Sequence, residues 1–215
     1  MTRYTDPVWE KSALITIDTQ VDTLDGGPME IPGTTAVLPK MRRVLDLFRK
    51  NNLPVVHIVR LYLPDGSNVD VCRRAKIESG GLMLAPNTPG SQLAPGLFPG
   101  AHPELDAGLL LGGGVQELGP REMIIYKSRW GAFYRTPLEE RLRNLEVDTL
   151  VFCGCNFPNC PRTSIYEAGE RDFRLVLVRD AISGLYAKGE QEMENTGVVL
   201  LDVVDLEKIL GAAVC

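Results

Sequence analysis

Residues 149–168 read TLVFCGCNFPNCPRTSIYEA. They open with an uninterrupted apolar run, Thr149 to Cys153, turn at Gly154, and pass through Asn156, Pro158 and Asn159 before a helical pattern begins after Pro161. A short, continuously apolar run bounded by turn residues is the pattern of a strand covered on both faces, which belongs to parallel sheets. The succession predicts a strand, a loop at its carboxyl end and a helix that packs back on the sheet.

The same pattern recurs on both sides of this stretch. Ala13 to Ile17, Pro54 to Val59, Met123 to Tyr126 and Leu175 to Val178 are further short apolar runs rich in β-branched residues. Helical patterns occupy Val37 to Asn51, Thr136 to Leu145 and Arg162 to Asp172, with a further strand near Val198 to Leu201 and a last helix at Leu206 to Ala212. Strand and helix in alternation predict an α/β sandwich with right-handed crossovers. The chain has 215 residues, 44% of them hydrophobic, which suits one domain over residues 1–215. The interval from about 63 to 120 breaks the rhythm with Gly- and Pro-rich pieces such as Pro86 to Pro99 and Gly112-Gly113-Gly114. It reads as a long loop, and loops of that length in compact domains serve as lids, pocket walls or subunit contacts.

Ligands of open parallel sheets bind beyond the carboxyl ends of the strands. Asp18 follows the first strand, Arg60 the second, Lys127 the third, and Gly154 to Cys160 the fourth, so four chemically useful positions converge on one edge. Cys160 precedes Pro161, and proline is favoured in the first helical turn. A thiol at a helix N-terminus meets partial positive charge and free N–H groups, which lower its pKa. The bland alternative, a buried structural cysteine, stays open at this point. Asp18 either caps a turn or works in a site, because a carboxylate at the end of an apolar strand is costly without partners. Lys127 is either solvated or placed to face the thiol and the carboxylate, lowering the pKa of each. Thr19-Gln20-Val21-Asp22 is a short polar continuation suited to lining a pocket.

Composition removes several classes of function. The formal net charge of −5 leaves no basic face for a phosphate backbone, so nucleic acid is not an expected partner. Met1 to Lys11 lacks a signal-peptide pattern and no apolar run is long enough for a membrane span, so a cytoplasmic location and no membrane partner are expected. The five cysteines, Cys72, Cys153, Cys155, Cys160 and Cys215, are odd in number and read as reduced thiols. Cys153 and Cys155 read as structural, and neither Cys72 nor Cys215 is given a role. No paired C-x-x-C spacing is present and the histidines are only His57 and His102, so neither a metal nor another cofactor is expected. The position six residues after Cys160 is Tyr166 rather than the Arg of a phosphatase loop, and there is no G-x-S-x-G elbow or P-loop. A thiol served by an Asp and a Lys survives.

Three segments together resemble the isochorismatase-like cysteine hydrolases, the superfamily that includes nicotinamidases, carbamoylsarcosine amidohydrolases and ureidoacrylate amidohydrolases. Asp18-Thr19-Gln20-Val21-Asp22 is similar to the family's D-x-Q-x-D opening. Lys127, followed by Ala132-Phe133 and a helix near Thr136, resembles the second segment. Gly154 to Cys160 with the later Asp180-Ala181 resembles the family's G-x5-C segment and D-A pair. The resemblance spans about residues 12 to 184. It implies a Rossmann-like three-layer α/β/α sandwich with a six-stranded parallel sheet and a triad of Asp18, Lys127 and Cys160. It also implies a cis peptide between Cys155 and Asn156, and an oxyanion site made by the backbone N–H groups of Asn156 and Cys160.

This chain departs from the family at Phe157-Pro158, at Pro161, and at His57 and Arg60, where metal-binding nicotinamidases carry a D-x-H-type cluster. Metal and nicotinamide are therefore not expected, and isochorismate is disfavoured because members acting on it lack the cysteine. The expected activity is thioester-forming hydrolysis of a C–N bond in a small molecule. Gln20, Arg60, Trp130, Phe133, Tyr134 and Phe157 are the candidate substrate-binding residues. An inactive binding or scaffold protein of the same fold is the alternative, and a disulfide oxidoreductase ranks below both for want of C-x-x-C. A homo-oligomer, dimer or tetramer, is a further expectation from the resemblance.

Overall fold

Each of the six expected strands exists, and the central ones are shielded on both faces. In the computed structural model, which describes residues 4–212, they are β1 (Ser12–Ile17), β2 (Val55–Val59), β4 (Glu122–Tyr126), β5 (Thr149–Gly154), β6 (Arg174–Ile182) and β7 (Val199–Leu201). Every residue of β1, β2 and β5 is buried, which accounts for their lack of polar alternation. All neighbouring pairs among these six are parallel.

A seventh strand, β3 (Val115–Gly119), closes one edge and gives the order β3-β4-β2-β1-β5-β6-β7. It pairs antiparallel with β4 and carries a register irregularity between Glu117 and Gly119. The expected count of six is thus corrected to seven, and the sheet is mixed at that edge. None of the residues of β3 is buried, so it has no continuous apolar run to read. Its Glu117 pairs with Arg141 at 2.6 Å, and charged side chains on an edge strand discourage pairing with another chain.

Helices cover both faces. The first layer sets Ala13, Ile15, Ile17, Leu150 and Phe152 against α4 (Leu138–Asn144), α5 (Cys160–Gly169) and α6 (Ala187–Asn195). The second sets Leu14, Val55, Val151 and Cys153 against α1 (Thr34–Lys50) and α7 (Val203–Ala212). In α1, Met41, Val44, Leu45 and Phe48 repeat at helical spacing and are fully buried. Each contributes about 1.5–3 kcal/mol. Together they outweigh Pro39 inside the same helix, which costs about 3 kcal/mol for its lost hydrogen bond and clash.

The interval 63–120 is not a single loop. It holds α2 (Val71–Glu78), α3 (Ala107–Leu111), two single 3-10 turns and β3. α2 and α3 are too short and too little buried to leave a strong apolar period. No helix among the described residues is long and apolar enough to cross a membrane. Cys215 lies outside the described residues.

Candidate active site

β1 and β5 are neighbours, and where they end the chain turns sharply. Gly154 has φ +127°, and a Cβ there would lie 2.3 Å from the Ile17 carbonyl oxygen. Only glycine fits that contact, and it lets the Cys155 N–H donate to Ile17 O at 2.9 Å. The Cys155–Asn156 peptide bond is cis. Asp18 leaves β1 with φ +50° and anchors its own N–H on Ile58 O of β2. The ends of three adjacent strands are in this way tied into one floor.

Lys127 follows β4 and is fully buried, its Nζ donating to Asp18 Oδ2 at 2.7 Å and to Arg129 O at 3.3 Å. The other carboxylate oxygen, Asp18 Oδ1, is buried and makes no hydrogen bond among the described residues. Cys160, the first residue of α5, is 5% exposed. Neither its N–H nor that of Asn156 donates a hydrogen bond among the described residues, so both stay free to serve an incoming oxygen. Asp18, Asn156 and Cys160 line one cavity. The structure therefore brings together all the residues expected as triad and oxyanion site.

The charge balance at the thiol differs from the expectation. Burial pushes the Cys160 pKa up, and the Asp18 charge pushes it further, while Lys127 and Arg60 pull it down. The net direction is upward, so the helix N-terminus does not decide it. The resting residue is a thiol with a carboxylate beside it. Cys153 is buried in the second apolar layer, where desolvation alone pushes it up to about 12. Cys155 is also raised by burial, and its Sγ donates to Asp18 O at 3.0 Å. Neither is a nucleophile in this state.

Of the six expected substrate-binding side chains, three are spent or in the core, two lie on the surface near Asp70 and one, Arg60, lines the inner cavity. Gln20 is fully buried: Nε2 donates to Arg60 O and Ser91 O, while Oε1 accepts the Arg60 N–H. It positions Arg60 and has no donor left for a ligand. Phe157 is fully buried in the first layer, edge-on to Tyr186 at 5.7 Å, over the space left by the missing side chain of Gly189. Phe133 packs beside Phe173 at 5.9 Å. These two rings are core, because the apolar layer under α5 and α6 offers them more contact than the cavity does. Trp130 and Tyr134 are 37% and 41% exposed and line an outer groove of about 430 Å³ with Asp70, Arg129, Thr163 and Glu167.

Arg60 does line the inner cavity, at 1% exposure. Its Nη1 donates to Asp70 Oδ2 at 2.7 Å and Ser128 O at 3.3 Å, its Nη2 lies 3.8 Å from Cys160 Sγ, and its Nε has no partner. Tyr62, Arg73 and the apolar side chains Met29, Ile31 and Leu84 complete the walls. Sequence reasoning missed Tyr62, Asp70 and Arg73. One signal was present: Arg73 and Arg74 stand in the first turn of α2, where cations oppose the helix dipole. His57 is not in the site; it is held inside the sheet by Thr16 Oγ1 and Glu122 Oε1, both at 2.8 Å. Among the described residues no three His, Cys, Asp or Glu side chains gather as a metal site requires.

Residues 12–205 match the Isochorismatase domain family. The chain belongs to the isochorismatase family. A protein from Arabidopsis thaliana described as a probable inactive nicotinamidase is 26% identical over 197 residues, covering 88% of this chain and 91% of that one. Maleamate amidohydrolase from Pseudomonas putida is 27% identical over 175 residues, covering 80% and 72%. Among solved structures, an isochorismatase family protein from Desulfovibrio vulgaris superposes with a TM-score of 0.79 at 28% identity, covering 94% and 98%. Isochorismatase-family membership and the mixed sheet with helices on both faces agree with that superposition.

Proposed function

We propose that this chain is a cysteine-dependent amidohydrolase that cleaves a non-peptide C–N bond of a small molecule through a thioester. The observation that carries the reading is the buried Asp18–Lys127 ion pair, 2.7 Å long, with Asp18 Oδ1 left unpartnered in the cavity it shares with the Cys160 thiol. A carboxylate anchored through one oxygen and open at the other is a base held in place. Relatives named amidohydrolases support the same class of reaction.

In this reading Asp18 Oδ1 takes the Cys160 proton as Sγ attacks the carbonyl carbon, so the thiol becomes a nucleophile only when substrate is bound. The carbonyl oxygen gains the charge and is met by the N–H groups of Asn156 and Cys160. Lys127 keeps Asp18 aligned throughout. Asp18 then gives its proton to the leaving nitrogen, the C–N bond breaks and an acyl-thioester remains. Water, deprotonated by Asp18, attacks the thioester, and Cys160 regains its proton as the acid departs. Self-association as a dimer or tetramer and a cytoplasmic location belong to the same proposal.

The test is a Cys160→Ala variant assayed for ammonia release over a panel of short amides, together with mass spectrometry of the wild type mixed rapidly with substrate. Expected are loss of turnover with an unchanged fold, and an acyl mass on the peptide containing Cys160. Undiminished turnover in Cys160→Ala would sink the mechanism. The Arabidopsis relative described as probably inactive favours, as second reading, a binding protein that has kept the site. Absence of turnover and of any acyl adduct across the panel would favour it.

A further inference from the structure

A cysteine that attacks a carbonyl carries charge on its sulfur whenever the bond to the acyl carbon forms or breaks. Lys127 does not meet that charge directly, because its Nζ is spent on Asp18 Oδ2 and Arg129 O. Among the described residues one nitrogen donor reaches the sulfur: Arg60 Nη2, 3.8 Å from Cys160 Sγ. Nothing fits between the two, and the cavity beside them is about 10 Å³, close to the volume of one water. In this state the guanidinium faces a reacting atom, with no room for a further group of a ligand.

Arg60 is held as a fixed donor has to be held. The Gln20 amide takes both polar groups of its main chain, at 2.8 Å each. Its Nη1 is anchored on Asp70 Oδ2 and Ser128 O, and the guanidinium carbon lies 5.7 Å from the centre of the Tyr62 ring. These contacts fix the backbone and the Nη1 corner. The Nε and Nη2 edge is left over: Nε is buried without a partner, and Nη2 has the sulfur. Buried donors are normally satisfied, so an arginine placed only for structure would not leave an edge unspent. Nor does Asp70 depend on this one, since Arg73 Nη1 reaches the same oxygen at 3.1 Å. A donor aimed in advance at an atom where charge develops is worth most in a site that excludes water.

We infer that Arg60 is a further catalytic residue, whose Nη2 N–H stabilises the negative charge on Cys160 Sγ as the carbon–sulfur bond forms and breaks. This rests on the reading of Cys160 as nucleophile. On acylation the Sγ proton goes to Asp18 Oδ1 and the sulfur electron pair goes to the carbonyl carbon. On hydrolysis Asp18 takes a proton from water, the water oxygen bonds to the acyl carbon, and the carbon–sulfur bond breaks with its electron pair returning to Sγ. The acid leaves, and the proton on Asp18 passes to the thiolate. While Asp18 holds that proton it is neutral, and Arg60 is the cation in contact with the sulfur. Gln20, Asp70 and Tyr62 are positioning residues that act through Arg60.

The probe is p-nitrophenyl acetate, whose acetyl group is small and neutral and offers a guanidinium nothing to hold beyond the reacting atoms. Decay of acetyl-Cys160 after removal of the reagent is followed by mass spectrometry at pH 7 in the wild type, Arg60→Lys and Arg60→Met. Arg60→Lys keeps a cation for Asp70 and lacks the Nη2 arm. Decay is expected to slow about 10-fold in Arg60→Lys and toward about 100-fold in Arg60→Met, the range of a charge-assisted hydrogen bond. In unreacted protein, iodoacetamide labelling against pH is expected to show the Cys160 thiol titrating at higher pH in both variants, more so in Arg60→Met, because Arg60 pulls it down. A general loosening of the fold would relieve the burial that holds the thiol up and move it the other way. An arginine that only neutralises Asp70 would leave the decay of the acetyl group unchanged. Decay within about twofold of the wild type in Arg60→Lys, or a thiol titrating at or below the wild-type pH in either variant, overturns the inference and leaves the hydrolase reading in place. A wild type that forms no acetyl-Cys160, or cannot hydrolyse it, overturns both.

Discussion

Replacing Lys127 by Met, a neutral side chain of nearly the same length, removes the charge and leaves Asp18 buried without its ion-pair partner. At 2.7 Å and an effective dielectric of about 20, the pair attracts by about 6 kcal/mol. Desolvation of two ions costs several kcal/mol each, so the intact pair contributes little net stability. The survivor of a broken pair keeps its desolvation cost without the attraction, and Lys127→Met is expected to lose about 3–5 kcal/mol of folding stability. The double variant Asp18→Asn/Lys127→Met removes both charges and is expected to recover most of that loss, a strongly non-additive cycle. Urea unfolding of the four proteins at pH 7, with equal m-values, measures it. A loss under about 1 kcal/mol in Lys127→Met, or a double variant as unstable as the sum of the singles, would refute the claim that the two charges are mutually dependent and buried. Both single variants are expected to be inactive, which stability alone does not explain in the double variant.

Asp18→Asn removes the carboxylate charge that raises the Cys160 pKa. Its thiol is therefore expected to titrate at lower pH than the wild type while turnover is lost; iodoacetamide labelling against pH, followed by peptide mass spectrometry, reads the shift, and an upward shift contradicts the charge balance described. Glu122 is partly buried, which raises its pKa, but His57 and the Arg49 fork at 2.6 and 3.0 Å outweigh this and hold it down to about 2. A depressed carboxylate contributes stability above its unfolded pKa of about 4.3 that is lost as pH falls toward 2, here about 2–3 kcal/mol; the stability gap between wild type and Glu122→Gln is expected to shrink over that window, and a gap constant from pH 5 to pH 2 counts against it. Gly154→Ala places a Cβ against the Ile17 carbonyl at positive φ and is expected to cost at least about 2 kcal/mol, measured by thermal unfolding, with a neutral effect refuting the close approach.

What was legible in the sequence follows burial. β1, β2 and β5 are covered on both faces and were visible as apolar runs, and Asp18, Lys127 and Gly154 were visible because they end such runs. β3 was invisible because an edge strand needs no apolar face, and α2 because it buries chiefly Ile77. Phe157 and Phe133 were misplaced for a different reason: an aromatic next to a catalytic motif reads the same whether its ring turns inward or outward. Only the space above Gly189 shows that Phe157 turns in. The long interval hid Asp70 and Arg73 because their meaning depends on Arg60, at the end of another strand.

Asp18 and Lys127 are 109 positions apart in the chain, and β2 comes between β1 and β4 in the sheet. No local hairpin or single crossover can bring the two charges together; the central strands must all be in register first. Partly unfolded or misregistered forms accordingly hold neither the buried pair nor a screened thiol, and their cysteines titrate as ordinary ones. The reactivity of Cys160 is thus a gauge of conformational integrity for the whole sheet, readable by simple thiol labelling during storage, heating or refolding, before any substrate has been identified.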